Sequence, residues 1–232
     1  MTLRVTDLTL HYGASQILYD VSLTARAGAV TAVMGTNGVG KTSLLKAIAG
    51  RHPHSRGAIT LDGAELKRPT AVQAARAGIA YVPQGREIFP LLTVRENLET
   101  GFACLPAAER RVPEEIFELF PVLAEMQGRR GGDLSGGQQQ QLAIGRALIL
   151  KPKLLLLDEP TEGIQPNIIQ QIGRVIAHLR DRGGMAIVLV EQYFDFAWDL
   201  ADRITVMRRG AVAFDGERAD LARETVLSAV SV

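Results

Sequence analysis

The chain has 232 residues, of which 47% are hydrophobic, and this length suits one well-buried domain or a core with a subdomain. Its 26 Lys and Arg residues nearly cancel its 25 Asp and Glu residues, so no global field favours nucleic acid or acidic lipid as a partner. The start, MTLRVTDL, lacks the apolar core of a signal peptide, and no apolar run approaches the roughly 18 residues that span a bilayer, which predicts a cytosolic chain.

The first third of the chain has the patterning of strands around one helix. Segments 3–12 and 57–63 alternate apolar and polar residues and end at glycine or polar turns, which predicts antiparallel strands. Short apolar runs at 30–34 and 79–83 predict buried strands. After the first of these runs comes a glycine-rich loop, and helical spacing then covers 42–49.

The rest of the chain predicts a helical stretch followed by a parallel sheet. Residues 94–150 are mostly helical in pattern, and Ser135 is well placed to cap a helix that runs on toward Pro152. The runs at 154–158 and 186–191 are apolar up to a final acidic residue, as in strands buried on both faces, with a helix opened by Pro166 between them. A hairpin is predicted within 204–216.

The glycine-rich loop GTNGVGKT (35–42) predicts phosphate binding. Its three glycines let successive backbone N–H groups point inward at phosphates, and the following helix adds its positive end. Lys41 would reach the β- and γ-phosphates, and the Thr42 hydroxyl would ligate Mg²⁺. The alternative, a glycine turn with an incidental lysine, does not explain why a strand precedes the loop and a helix follows it. The glycines are Gly35, Gly38 and Gly40.

A carboxylate pair, Asp158 and Glu159, ends the apolar run LLLLDEP. Such a pair is costly there unless it has cationic or hydrogen-bonded partners. We expect Asp158 to hold Mg²⁺ through water and Glu159 to orient the attacking water. The alternative, acids that merely cap the next helix, fits locally but leaves the upstream phosphate loop unexplained.

The motif LSGGQ at 134–138 stands between the phosphate loop and the Asp-Glu pair. In this order the three motifs resemble the ATP-binding-cassette ATPases, over nearly the whole chain. The resemblance implies an α/β P-loop NTPase core with a parallel sheet, an N-terminal antiparallel β subdomain and an α-helical insertion subdomain. It implies a single cassette over 1–232, with the core and β subdomain at about 1–84 and 151–232 and the helical subdomain at about 85–150.

The resemblance also implies ATP and Mg²⁺ as ligands and assigns further site residues. Gln84, in YVPQGREIF, matches a glutamine that touches Mg²⁺, so the implied metal set is Thr42, Gln84 and Asp158. Tyr12 matches the aromatic residue that stacks on adenine. The remaining nucleotide-binding residues form the phosphate loop and the start of its helix: Gly35, Thr36, Asn37, Gly38, Val39, Gly40, Lys41, Thr42 and Ser43.

In this family ATP lies between the phosphate loop of one subunit and the LSGGQ motif of the other. The resemblance therefore implies a pair, in which Ser135, Gly136, Gly137 and Gln138 contact the opposite nucleotide. The partner is a second ATPase subunit or another copy of this chain.

One catalytic position departs from the family pattern. The catalytic residues implied are Lys41, Glu159 and Gln192, but the last replaces a histidine that usually contacts the γ-phosphate. Glutamine can donate a hydrogen bond but cannot titrate. We therefore hypothesise a different partner chain that carries the usual histidine, which would make the two composite sites unequal.

A glutamine at position 192 resembles one of the two ATPase subunits of importers for hydrophobic and branched-chain amino acids and of the related importers for urea and short-chain amides. Strings such as VPQGREIFP and VEQYFDFA favour urea or short-chain amides over branched-chain amino acids, although the chain itself cannot read a solute. A third alternative, from another class, is a regulatory subunit that binds ATP without driving transport.

The resemblance implies that membrane permease subunits dock near Gln84–Leu92 and hold the chain on the inner face of the membrane, with an extracytoplasmic solute-binding protein completing the system. Phe89, Leu91 and Leu92 stand there beside a charged rim. The alternative is that these apolar side chains close the core of the helical insertion. We expect no nucleic-acid partner.

Overall fold

The computed structural model describes residues 2–230, which form ten strands and nine α-helices. The strands in chain order are β1 (Thr2–Tyr12), β2 (Ser15–Arg26), β3 (Ala29–Met34), β4 (Arg56–Leu61), β5 (Ala64–Glu65), β6 (Ile79–Val82), β7 (Leu154–Asp158), β8 (Ala186–Val190), β9 (Arg203–Arg208) and β10 (Ala211–Glu217). The helices are α1 (Lys41–Ile48), α2 (Ala71–Arg76), α3 (Val94–Glu99), α4 (Glu114–Leu119), α5 (Pro121–Glu125), α6 (Gly136–Leu148), α7 (Pro166–Asp181), α8 (Phe194–Leu200) and α9 (Arg223–Val230).

The strands form two sheets. An antiparallel sheet has the order β2-β1-β4-β5, and a six-stranded sheet has the order β10-β9-β3-β8-β7-β6. In the second sheet β9, β3, β8, β7 and β6 run parallel, and only β10 is antiparallel, in a hairpin with β9. The predicted α/β class is thus confirmed, with its parallel sheet and its N-terminal antiparallel sheet.

Strand β2 was not predicted, because its apolar spacing is irregular. Its buried residues are Leu18, Val21, Leu23 and Ala25, so the alternation slips between the first two of them. The slip coincides with Asp20, which has a φ of 47°, and the β1–β2 register shifts in the same region. A bulge of this kind breaks the period of two that identifies a strand.

The prediction that β7 is buried on both faces is confirmed. Leu154 and Leu156 pack in the cluster that contains α1 and the antiparallel sheet, whereas Leu155 and Leu157 pack in the cluster that contains α6 and α7. All four side chains are fully buried. Because successive side chains of a strand point to opposite faces, a run of four leucines supplies both hydrophobic layers.

Between β6 and β7 the chain is largely helical, as predicted, with α3 to α6 joined by short 3₁₀ turns. Its core is built around Phe120, Leu98 and Leu123, all fully buried. Within residues 2–230 the model contains no helix of the length and apolar character that a membrane crossing requires.

The order of the parallel strands decides which loops meet. The segments after β3, β6, β7 and β8 all leave from the carboxyl edge of one sheet, where ligands bind in open α/β folds. Since β8 lies between β3 and β7, the residues after β8 stand between the phosphate loop and the Asp158–Glu159 pair.

Candidate functional site

The phosphate loop follows β3, and two of its glycines are required by packing. A Cβ on Gly35, whose φ is 147°, would lie 2.3 Å from the Met207 carbonyl oxygen. A Cβ on Gly40, whose φ is 101°, would lie 2.7 Å from the Leu18 side chain. Only glycine fits such close approaches at a positive φ. The loop is therefore pressed against β9 and β2 just before α1 begins at Lys41.

Lys41 is buried, with 4% of its surface exposed, and its ammonium group folds back over the loop. Its Nζ donates hydrogen bonds to the carbonyl oxygens of Gly35 (2.7 Å) and Thr36 (3.0 Å) and lies 3.9 Å from Glu159 Oε1. Burial lowers the pKa of Lys41, and the charges of Glu159 and Asp158 oppose that shift. A cation held at this place can meet an anion that enters the loop.

Asp158, at the end of β7, is completely buried and bound on both oxygens. Oδ1 accepts from the Thr42 hydroxyl at 3.1 Å, and Oδ2 accepts from the Tyr81 hydroxyl at 2.9 Å. Burial raises the pKa of Asp158, whereas these two hydrogen bonds lower it. Burial and the charge of Asp158 also raise the pKa of Tyr81, so the phenol remains a donor.

The oxygen atoms around Asp158 suit Mg²⁺ as ligands. The candidate ligands, Thr42, Asp158 and Gln84, all offer oxygen atoms, which this hard cation prefers. Across residues 2–230 there is no group of three or more His, Cys, Asp or Glu side chains able to hold a metal by themselves. Mg²⁺ usually takes only one or two protein carboxylates and completes its shell with substrate phosphates and water, so the residues fit it.

Glu159 follows Asp158 with a left-handed backbone, its φ being 47°. Its Oε1 accepts a hydrogen bond from Gln192 Nε2 at 2.6 Å, and its Oε2 accepts one from Gln84 Nε2 at 3.1 Å. Gln84 also donates to Glu162 Oε2 at 3.0 Å. Two carboxamides from two different loops thus hold the carboxylate beside Lys41, where it can orient a water molecule.

Several residues of this hydrogen-bond network were not identified from the sequence, among them Tyr81, Glu162 and Glu191. Tyr81 lies in β6 and reaches Asp158 because β6 and β7 are neighbours in the sheet. Glu191 is buried behind Gln192 and binds Thr161. Only the strand order brings these residues to the site, and the sequence patterns do not determine that order.

A cleft of about 430 Å³ connects these groups. Tyr12 stands at its edge, and its ring packs on His52 with the two ring centroids 4.2 Å apart. The cleft also contains the phosphate loop and the side chains of Gln84, Glu159 and Gln192. Its lining residues are Tyr12, Ile17, Asn37, Gly38, Gly40, Lys41, Thr42, Ser43, Gln84, Glu159, Glu162 and Gln192.

The LSGGQ residues lie outside the lining of this cleft. Ser135 caps α6 in a capping box with Gln138: Ser135 Oγ accepts from Gln138 N at 3.4 Å, and Ser135 N donates to Gln138 Oε1 at 2.8 Å. Gly137 packs against Ile168, where a Cβ would come within 3.0 Å. Of the four residues from Ser135 to Gln138, none is among the described residues that line the cleft.

Comparison with known proteins identifies the family. A family model described as "ABC transporter" matches residues 18–162. High-affinity branched-chain amino acid transport ATP-binding protein BraG of Pseudomonas aeruginosa is 44% identical over 206 residues, which cover 88% of each chain. Probable branched-chain amino acid transport ATP-binding protein LivF of Archaeoglobus fulgidus is 36% identical over 222 residues, covering 94% of this chain and 93% of that protein.

A solved structure agrees with the sequence comparisons. The ADP conformation of an ATP-binding cassette of an ABC transporter matches with a TM-score of 0.86 at 25% identity, covering 100% of this chain and 95% of that chain. The chain therefore belongs to the ABC transporter family and is one of its ATPases, which bind ATP and hydrolyse it to power transport.

Proposed function

We propose that the chain is the ATP-hydrolysing subunit of an importer for branched-chain amino acids. The observation that carries this proposal is the 44% identity to BraG over nearly the whole of both chains. The sequence motifs favoured urea or short-chain amides, but the relatives support the alternative, so urea becomes an outcome of the test. The intact Lys41, Asp158 and Glu159 also argue against a subunit that only binds ATP.

ATP would bind with its phosphates in the loop after β3. The backbone N–H groups of Gly35–Ser43 and the amino end of α1 would hold the phosphates, and Lys41 would exchange its carbonyl partners for the β- and γ-phosphates. Tyr12, whose ring packs on His52 at an interplanar angle of 32° at the edge of the cleft, would stack on adenine.

The same site would hold Mg²⁺ between the Thr42 hydroxyl, Asp158 and Gln84. When bound, Mg²⁺ would neutralise part of the charge on the phosphate oxygens. The buried position of Asp158 supports this assignment, because a carboxylate with two neutral donors gains from a cation nearby.

Glu159 would orient the attacking water, because phosphoryl transfer depends mainly on positioning and charge stabilisation. Lys41 and Gln192 are its proposed catalytic partners. Their contacts with Glu159 Oε1, at 3.9 Å and 2.6 Å, support the assignment, since they fix one carboxylate oxygen and leave the other to Gln84.

A second ATPase subunit would complete each nucleotide site. The cleft lacks Ser135, Gly136, Gly137 and Gln138, so we propose that these residues contact ATP held by the other subunit. The glutamine at Gln192 motivates a different chain as that partner. In the purified pair, Glu159→Gln and the equivalent change in the partner should cause unequal losses of turnover, and equal losses would contradict the asymmetry.

Permease subunits would dock at the loop from Gln84 to Leu92. Phe89 and Leu91 are 49% and 80% exposed, so they do not close the core of the helical insertion. Residues 85–87 all have positive φ, and Arg146 Nη2 donates to the carbonyl oxygens of Arg86 (3.2 Å) and Glu87 (2.8 Å). The loop is thus held in one shape, with Phe89 and Leu91 outward as a docking surface requires and Ile88 packed against the helical core.

With permeases bound there, the chain would lie on the inner face of the cell membrane, and an extracytoplasmic solute-binding protein would deliver the solute. The proposal is tested by uptake of labelled leucine and labelled urea in a strain that lacks the chain. Wild type, but not Lys41→Ala, should restore leucine uptake. Restoration of urea uptake alone would overturn the assignment of branched-chain amino acids as the solute. Restoration of neither uptake would overturn the transport role.

A further inference from the structure

Glu191, the residue after β8, is a buried carboxylate with all its hydrogen bonds made. Only 2% of its surface is exposed. Oε1 accepts from the backbone N–H and the hydroxyl of Thr161, at 3.0 Å and 2.7 Å. Oε2 accepts from the backbone N–H groups of Gln192 and Tyr193, at 3.0 Å and 3.2 Å. Four donors match the four acceptor positions of a carboxylate.

These bonds join the two loops that carry Glu159 and Gln192. Thr161 lies two residues after Glu159 in the loop that follows β7, and Gln192 is the second residue of the loop that follows β8. Further bonds run from Glu159 N to the Val190 carbonyl oxygen at 2.9 Å and from Gln192 Nε2 to Glu159 Oε1 at 2.6 Å. The result is a closed ring of contacts in which Glu191 fixes both loop backbones.

Joining two loops through a buried carboxylate costs desolvation free energy. Burial raises the pKa of Glu191 because it disfavours the charged form, and the four hydrogen bonds oppose that shift. Apolar residues of similar volume would pack at a lower cost. What the charged acceptor adds is a fixed direction for each N–H group, and therefore for the side chains that follow.

We propose that Glu191 is a positioning residue for ATP hydrolysis: by binding both loops it holds the Gln192 carboxamide in register with the Glu159 carboxylate, so that its effect passes through the contact between these two side chains. The inference rests on the proposed roles of Glu159 and Gln192. Glu191 does not line the cleft and so would act only through these neighbours. A misplacement of about 1 Å in the reacting groups can cost on the order of 100-fold in rate.

The first experiment is steady-state ATP hydrolysis by the assembled complex that carries Glu191→Gln. The new amide N–H group must face donors on one of the two loops, so kcat should fall at least about 10-fold. KM for ATP should stay within about twofold, because the phosphate loop is untouched. Thr161→Val, which removes one donor only, should give a smaller loss of kcat with the same KM.

The matched control is Asp202→Asn. Asp202 also binds a backbone N–H with its carboxylate, from Val30 at 2.8 Å, but it lies at the opposite end of β3. This variant should lower thermal stability without lowering kcat. If Glu191→Gln behaves in the same way, Glu191 only stabilises the fold and the inference is overturned.

A double-mutant cycle separates this inference from its premise. Gln192→Leu alone should lower kcat, and in that background Glu191→Gln should cause less than about a twofold further loss. If the two losses multiply, Glu191 does not act through Gln192 and the inference is overturned, although the role of Gln192 stands. If Gln192→Leu leaves kcat unchanged, the premise fails and the inference fails with it.

Discussion

The side-chain amide of Gln192 donates a 2.6 Å hydrogen bond to Oε1 of Glu159. The two residues follow neighbouring parallel strands, so the sheet itself brings them together. A neutral carboxamide can support the carboxylate in this way but brings no charge and no titrating proton. The contact supports the proposal that Gln192 supplies a directed hydrogen bond at this position without the charge that a histidine could carry.

Gln192→His should keep ATP hydrolysis measurable, because an imidazole N–H can make the same contact. It should also add a pH dependence near the ordinary histidine pKa of about 6.5. The measurement is the ratio of variant to wild-type turnover between pH 5.5 and about 8. A constant ratio would show that a titrating side chain at position 192 does not affect turnover. Gln192→Leu, which removes the donor, serves as the comparison at every pH.

Lys41→Ala should weaken ATP binding, because it removes the only side-chain cation described in the cleft lining. A charge-assisted contact of this kind contributes about 1.5–3 kcal/mol, so the dissociation constant should rise at least about 10-fold. Lys67→Ala is the control, since Lys67 is exposed outside the cleft. Calorimetric titration with a slowly hydrolysed ATP analogue provides the measurement, and equal affinities for the two variants would contradict the assignment.

Replacing both Phe89 and Leu91 by Ala should lower the ATPase activity that depends on the permease, with the activity of the free ATPase pair preserved. Both side chains are exposed, so their loss should shift thermal stability little. Val72→Ala, at another exposed apolar position on α2, is the control. Unchanged coupled activity in the double variant would remove the docking proposal.

His54 should make the folded chain sensitive to acid. Burial lowers the pKa of His54, and the charge of Arg68 lowers it further. The unfolded chain binds a proton near pH 6.5, at about the ordinary value, whereas the folded chain binds it only at lower pH. The stability that neutral His54 contributes to the folded chain is therefore fully present above the unfolded-state pKa of about 6.5 and is lost as the pH falls below it.

His54→Gln should flatten this dependence, so its melting temperature should fall less than that of wild type between pH 7 and about 5. His178→Gln, on an exposed face of α7, should follow the wild-type curve. Thermal melts at a series of pH values provide the measurement. Parallel curves for all three proteins would show that His54 contributes no acid sensitivity.

The phosphate loop and the two parallel strands flanking β8 could be predicted because each has a local signal. Gly35 and Gly40 stand where a close approach requires glycine, and the leucines of β7 fill both hydrophobic layers. Signals of this kind lie within a few neighbouring residues. The capping box at Ser135 is another sequence pattern confined to neighbouring residues, and the helix after it begins as predicted.

Contacts between distant segments could not be predicted in the same way. Tyr81 and Glu191 reach the site through the strand order, which no local pattern encodes. Strand β2 was missed because its bulge at Asp20 breaks the alternation. The site therefore follows from the sequence as a set of motifs, whereas its supporting hydrogen bonds depend on the packing of the sheet.

The most direct test of the account is made on the transport complex in proteoliposomes. ATP hydrolysis and uptake of labelled leucine are measured together, with wild type or with Glu159→Gln as this subunit. We predict that the variant still binds ATP but loses at least about 100-fold in hydrolysis, with uptake lost in parallel. Near-wild-type hydrolysis and leucine uptake by the Glu159→Gln complex would show that Glu159 does not drive ATP hydrolysis for transport.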